Sequence, residues 1–200
     1  MKLFYSPNSP FVRKVMACAI ARGIEGQIET LATNPHDSPA GLLGANPLSK
    51  IPCLVGDDGA VVFDSPVICE FLDSLGNARP MFPPPGPARW QALTLQALAD
   101  GILEAALIRR GLAGEAPDAV RQAVIARQKA AMDRSLDVLE RKPPHQGLDI
   151  GTISAACALG YLDLRFAGDD WRAGRPALAA WFAAMGKEPA LARTAPPGDG

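Results

Sequence analysis

The 200-residue sequence lacks a basic surplus: 20 Lys and Arg stand against 21 Asp and Glu, a formal charge of −1. Proteins that displace counterions from phosphate backbones carry an excess of positive charge, so no nucleic-acid partner is expected. Histidine is scarce. His36 and His145 fall in separate Pro-containing loops, too few and too scattered for a zinc site. The four cysteines (Cys18, Cys53, Cys69, Cys157) form no Cys-x-x-Cys pair and show no metal-ligand spacing. Each lies among apolar neighbours, where free cysteine serves as a small buried hydrophobe. There is no Gly-x-Gly-x-x-Gly, no phosphate-binding loop and no Gly-x-Ser-x-Gly, which leaves most cofactor chemistry without a footprint. The N-terminus turns polar by Ser6 and has no apolar centre of signal-peptide length. No stretch approaches the roughly 20 apolar residues that cross a bilayer. A soluble, cytoplasmic protein with no metal and no membrane partner is expected.

What the chain does have is apolar content of 48%, enough for a real core, and a surplus of Gly (19) and Pro (19). The prolines concentrate. Residues 80–87 (Pro-Met-Phe-Pro-Pro-Pro-Gly-Pro) hold five of them in eight positions, the composition of a stiff, extended link. It divides the chain into residues 1–79, the link 80–87 and residues 88–200.

Before the link, Lys2–Tyr5 is β-prone, and Val12, Val15, Met16, Ala19 and Ile20 mark one helix face ending at Gly23. Residues 27–32 read as a second strand, followed by a polar loop. Residues 51–55 and 60–63 read as strands joined by Gly56-Asp57-Asp58-Gly59, a hairpin signal. Ile68, Phe71, Leu72 and Leu75 mark a further helix, stopped by Gly76. The order β-α-β, loop, β-β-α is that of a thioredoxin-like domain. After the link the pattern is wholly helical, with helices predicted over 88–113 and 117–141, from near Asp149, and from Arg175-Pro176. The first of these is apolar on two faces (Trp90, Leu93, Ala97 and Leu95, Leu98, Ile102), which predicts burial between two surfaces. The fold class is therefore α/β plus all-α.

Two Ser-Pro pairs, Ser9-Pro10 and Ser65-Pro66, open helices in the first half, with Ser suited to the N-cap and Pro to the first turn. Capping alone accounts for either. Together they present two sets of free N–H groups with partial positive charge, two anion sites in one small domain. Asp64 precedes the second and suits an ammonium, and Ile51-Pro52 at a strand start suits backbone pairing with an extended peptide.

At these residues the chain resembles the cytosolic glutathione S-transferases, over nearly its whole length. The resemblance rests on Lys2–Lys14 (KLFYSPNSPFVRK), Asn46–Leu54 (NPLSKIPCL) and Phe63–Leu72 (FDSPVICEFL). Leu98–Ile102 and Cys157–Asp163 are similar to a bacterial, serine-type subgroup. The resemblance implies that Ser9 supplies the hydroxyl that hydrogen-bonds the glutathione sulfur, with Tyr5 as the rival. It implies that Ile51 pairs by backbone with the cysteinyl unit beside a cis Pro52. Asp64 and Ser65 would hold the γ-glutamyl end, and Lys50 would add a polar contact. Asp100 or Glu104 would reach the glutathione of a partner subunit in a homodimer. Ser9-Pro10-Phe11 keeps the Pro-Phe of omega-like members without their Cys, which favours conjugation of glutathione to a small electrophile over mixed-disulfide chemistry. A glutathione-binding protein of the same fold without turnover is the alternative. Two positions depart from the pattern. Ser38 stands where omega-like members have a Lys, and Thr152 stands where the capping box Asp149–Thr152 normally has an acid.

Overall fold

A computed structural model of the chain describes residues 1–114 and 118–196. The start predicted at residue 117 for the second long helix, and positions 197–200 of the predicted helical half, lie outside them. Four strands, β1 (Lys2–Tyr5), β2 (Glu29–Ala32), β3 (Cys53–Val55) and β4 (Val61–Val62), form a mixed sheet in the order β2-β1-β3-β4. Eight α-helices accompany them among the described residues: α1 (Pro10–Ala21), α2 (Ala40–Ala45), α3 (Ser65–Leu75), α4 (Pro87–Ala113), α5 (Ala119–Arg141), α6 (Ile150–Arg165), α7 (Pro176–Met185) and α8 (Pro189–Ala192). The thioredoxin-like half followed by a helical half is the fold that the sequence predicts.

The strands are shorter than predicted. Ile51 and Pro52 stay outside β3, because proline has no N–H to give a ladder. The hairpin forms as expected, with Gly56 N–H donating to the Ala60 carbonyl at 2.8 Å and Gly59 at φ +83°. Two short helices, α2 and α8, occupy segments with too few periodic positions to announce them. Leu3, Val12, Val15, Leu54, Ile68 and Leu72 fill the space between the sheet and α1/α3.

In the second half, α6 is buried from Ile150 to Leu162, in keeping with a helix apolar all round. Its start is a closed capping box. Asp149 Oδ1 accepts from Thr152 N–H at 2.8 Å, and Thr152 Oγ1 accepts from Asp149 N–H at 2.9 Å. A threonine thus replaces the usual acid without loss of either bond. Helix α4 packs against α5 and α6. Over 18 residues it reaches a mean hydropathy of 1.2, so by length and composition it could cross a bilayer, contrary to the sequence expectation; here it is a core helix of the bundle. Only part of it is covered. Ile102, Leu103 and Ala106 are buried while Trp90 is 67% exposed, so the predicted burial of both faces does not occur within one chain.

The proline-rich segment is a strap fastened at both ends. Met81 and Phe82 are buried, and their N–H groups donate to the Asp73 carboxylate of α3 at 2.7 and 3.2 Å. The Met81 carbonyl accepts from Ile150 N–H, at the start of α6. One residue therefore bonds both halves, and Pro87 already belongs to α4.

Candidate functional site

The sheet register gathers the predicted residues. Strand β3 runs antiparallel to β1 and β4 antiparallel to β3, so β1 and β4 run the same way. The helices that follow them, α1 and α3, begin at the same sheet edge and pack on each other. Phe4 pairs with Cys53, the first residue of β3, which brings Pro52 to that edge as well. Tyr5, Ser9, Pro52, Asp64 and Ser65 thus converge from four segments.

Ser9 is the N-cap of α1, with φ −85° and ψ 118°, and its Oγ accepts from Val12 N–H at 3.3 Å. Among the described residues its own hydroxyl proton has no acceptor, so it is free to donate outward. Tyr5 closes β1, half-buried against the core.

The Ile51–Pro52 peptide bond is cis, and so is Phe63–Asp64, which nothing in the sequence announces. Asn46 builds the turn before Pro52. Its side chain donates to the Lys50 carbonyl at 2.9 Å and accepts from Leu48 N–H at 3.0 Å. Ser49 Oγ reaches the Pro35 carbonyl and Ser38 Oγ, each at 3.1 Å. Ser38, at φ +45°, therefore ties two loops together. Lys50 is exposed at the rim.

The second Ser-Pro pair corrects one expectation. Asp64, in extended conformation, is the N-cap of α3, and its side chain makes no capping bond. Ser65 and Pro66 are the first two helical residues. The shift of one position leaves the Asp64 carboxylate exposed and Ser65 only 2% exposed. The free Ser65 amide belongs to the helix start itself.

Acidic groups meet where α4 passes this edge. Asp100 receives Lys14 Nζ on both oxygens, at 2.7 and 2.8 Å, and Lys14 is fully buried. Burial holds the Asp100 carboxyl above the usual carboxylate range; Lys14 opposes this, while the nearby charges of Asp64 and Glu104 reinforce it. Glu104, one turn on, is exposed. The sequence assigns Lys14 and its neighbour Arg13 no role of their own; both are buried.

All four cysteines are buried free thiols. Burial pushes Cys157 up to about 11, and Cys53 is raised by the same cause. Cys18 is raised first by its hydrogen-bonded pairing with Cys69 and then by burial. Cys18, Cys53 and Cys157 are therefore protonated and poor nucleophiles at neutral pH, and Cys69 is fully buried, out of a reagent's reach. The native protein is therefore expected to leave all four unlabelled by a disulfide reagent at pH 7, with four labelled once denatured; rapid labelling of the native chain would contradict this. Among the described residues no group of three or more His, Cys, Asp or Glu is placed to hold a metal ion.

A thioredoxin-like sheet, with two helix starts and a cis-proline turn at one edge, is thus joined to a helical bundle. Two family models match the chain: glutathione S-transferase N-terminal domain over residues 8–75 and glutathione S-transferase C-terminal domain over 122–184. The chain belongs to the glutathione S-transferase family. It is 35% identical to the uncharacterized GST-like protein YibF of Escherichia coli (strain K12), over 98% of this chain and 99% of that one. It is similar to a glutathione transferase family member of Pseudomonas fluorescens Pf-5 solved with bound glutathione, at 41% identity, TM-score 0.90 and 98% of each chain. A further Pseudomonas fluorescens Pf-5 structure carries bound S-(propanoic acid)-glutathione, at 40% identity, TM-score 0.86 and 98% and 100% of the two chains.

Proposed function

We propose that this protein is a glutathione transferase of the serine type, which ionises the thiol of glutathione and conjugates it to a small electrophile. The observation that carries the reading is Ser9: a helix-capping hydroxyl that accepts one N–H and keeps its proton free at the positive end of α1. Lowering a thiol pKa of about 8.5 by two units takes about 2.7 kcal/mol of preference for the thiolate. A hydrogen bond to a charged group supplies about 1.5–3 kcal/mol and a helix terminus about 0.3–1. The two together suffice.

In this reading the backbone of Ile51, beside cis Pro52, pairs with the cysteinyl unit. Asp64 takes the γ-glutamyl ammonium, the Ser65 amide and hydroxyl take its carboxylate, and Lys50 lies at the glycyl side. The relative that holds S-(propanoic acid)-glutathione accommodates a thioether of the tripeptide, which supports conjugation rather than binding alone. Four free thiols fit the reducing cytoplasm, where reduced glutathione is the substrate.

The protein acts as a homodimer in this reading. Val67 and Phe71 of α3 and Trp90 of α4 are exposed apolar residues on either side of the Glu70–Arg89 ion pair, and a second copy covers them. Asp100 spends both oxygens on Lys14, which leaves Glu104 as the freer acid for the partner's glutathione. Sedimentation is expected to give a dimer, and Trp90→Glu a monomer; a monomeric wild type removes the cross-subunit role. Retention on immobilised glutathione followed by an electrophile panel tests the activity. Retention with turnover is expected. Retention without conjugation across the panel marks a binding protein, and no retention defeats both readings.

A further inference from the structure

A groove of about 360 Å³ opens on the helical half, between α6, α7 and α8. Gly160, Leu164, Phe182, Leu191 and Ala195 form its apolar wall, and Arg13 of α1 also lines it. None of Ser9, Lys50, Ile51, Pro52, Asp64 or Ser65 lines it, so it is separate from the glutathione edge.

Arg13 is 9% exposed, and guanidinium stays charged in any protein environment. Its Nη2 donates to the Leu191 carbonyl at 3.3 Å, while Nε and Nη1 have no partner. The other buried basic residues all have acids: Lys14 has Asp100, Arg22 has Asp73 and Arg109 has Asp169. Arg13 has none among the described residues. Asp163 also lines the groove, but its oxygens accept from Arg172 and from Trp171 Nε1.

A buried charge without a counter-ion is among the costliest features a fold can carry. A Cβ at Gly160 would lie 2.2 Å from Arg13 Nη1, so the guanidinium lies close against α6 at this glycine, and a larger residue there would push the end of the Arg13 side chain aside. One buried cation with no acid partner among the described residues thus lies against one groove.

We propose that this groove binds a small amphipathic monocarboxylate, its carboxylate on Arg13 and its hydrocarbon body along Leu164, Phe182 and Ala195. Apolar walls with one charged anchor, at a volume within the usual range for small-molecule sites, are the form such a pocket takes. Guanidinium pairs with carboxylate through parallel N–H donors, and Arg13 has unused ones. A dianion would find its second charge facing Asp163. Helix α8, only four residues long, is the part that gives way as the carboxylate takes over from the Leu191 carbonyl.

Calorimetry on the full chain tests this with octanoate as the probe, 1-octanol as its uncharged control, and saturating S-hexylglutathione to fill the glutathione edge. Octanoate is expected to bind once per chain, with S-hexylglutathione making no difference and octanol weaker by roughly tenfold or more. Arg13→Met is expected to weaken octanoate by a similar factor while leaving the melting temperature unchanged or higher, because an unpaired buried charge is gone. Should Arg13→Met fail to fold, Gly160→Ala carries the test: crowding Nη1 is expected to weaken octanoate. No octanoate binding, equal binding of octanol, displacement by S-hexylglutathione, or unchanged affinity in the folded variants each overturns the proposal. Displacement would assign the ligand to the transferase site, so failure here leaves the transferase reading standing.

Discussion

Ser9→Ala is expected to raise the thiol pKa of bound glutathione by about one to two units, the equivalent of about 1.5–3 kcal/mol of hydrogen bonding to the thiolate. At neutral pH, where the variant's thiol would be largely protonated, conjugation should fall by about ten- to a hundredfold. The deficit should shrink as pH rises and more thiol ionises unaided. The measurement is a titration of thiolate absorbance in the binary complex, paired with the pH profile of kcat/KM. Glutathione affinity should change little, because Asp64, Ser65 and the Pro52 turn remain. The substitution also removes the capping bond to Val12 N–H, which costs about 1 kcal/mol of stability. A Ser9→Thr variant separates the two effects, since it restores both the cap and the donor and should recover most of the activity. Tyr5→Phe is the control for the rival hydroxyl. If Ser9→Ala titrates like wild type while Tyr5→Phe does not, the role passes to Tyr5.

Ser9-Pro10 is legible because capping is local: hydroxyl, helix start and proline are adjacent in the chain and need no tertiary context. The two-domain fold is legible because both periodicities, two for strands and 3.6 for helices, run long enough to count. Ser65 was displaced by one position because Asp64 and Ser65 are both good N-caps, and the extended conformation of Asp64 decides between them. Asn46 opens one of the quoted stretches, but its two turn bonds, from one side chain to backbone groups two and four residues away, are not announced by the residue types alone. Arg13 and Lys14 go unannounced for a different reason. Nothing in an adjacent Arg-Lys pair marks it as buried; the packing of α6 and α8 on α1, with Asp100 of α4 on Lys14, leaves Lys14 fully buried and Arg13 9% exposed. Buried charge is a property of packing between distant segments, and no local pattern carries it.

Lys14 leads to the largest expected effect on stability. Its ammonium is fully buried and its partner, Asp100, lies on α4, so the pair crosses between the two halves of the molecule. Lys14→Met fills similar space but strands the Asp100 carboxylate, which burial and the charges of Asp64 and Glu104 already disfavour. Every influence that lowers the Asp100 pKa comes from Lys14, so the variant's carboxyl rises further above its unfolded value. Removing one partner of a buried pair typically costs about 3–5 kcal/mol. The sign of the pH dependence follows from proton linkage. With the folded pKa above the unfolded one, the native variant binds more protons through that window, so its stability increases as pH falls through the raised pKa. The deficit relative to wild type should be larger at neutral pH than in acid, the reverse of ordinary acid sensitivity. Adding Asp100→Asn removes the stranded charge, and the double variant should recover most of the loss and its pH dependence. Denaturant unfolding of the single and double variants at neutral and mildly acidic pH measures all of this. A deficit independent of pH, or one that Asp100→Asn does not relieve, would mean that Lys14 contributes through its packed aliphatic stem rather than through its charge.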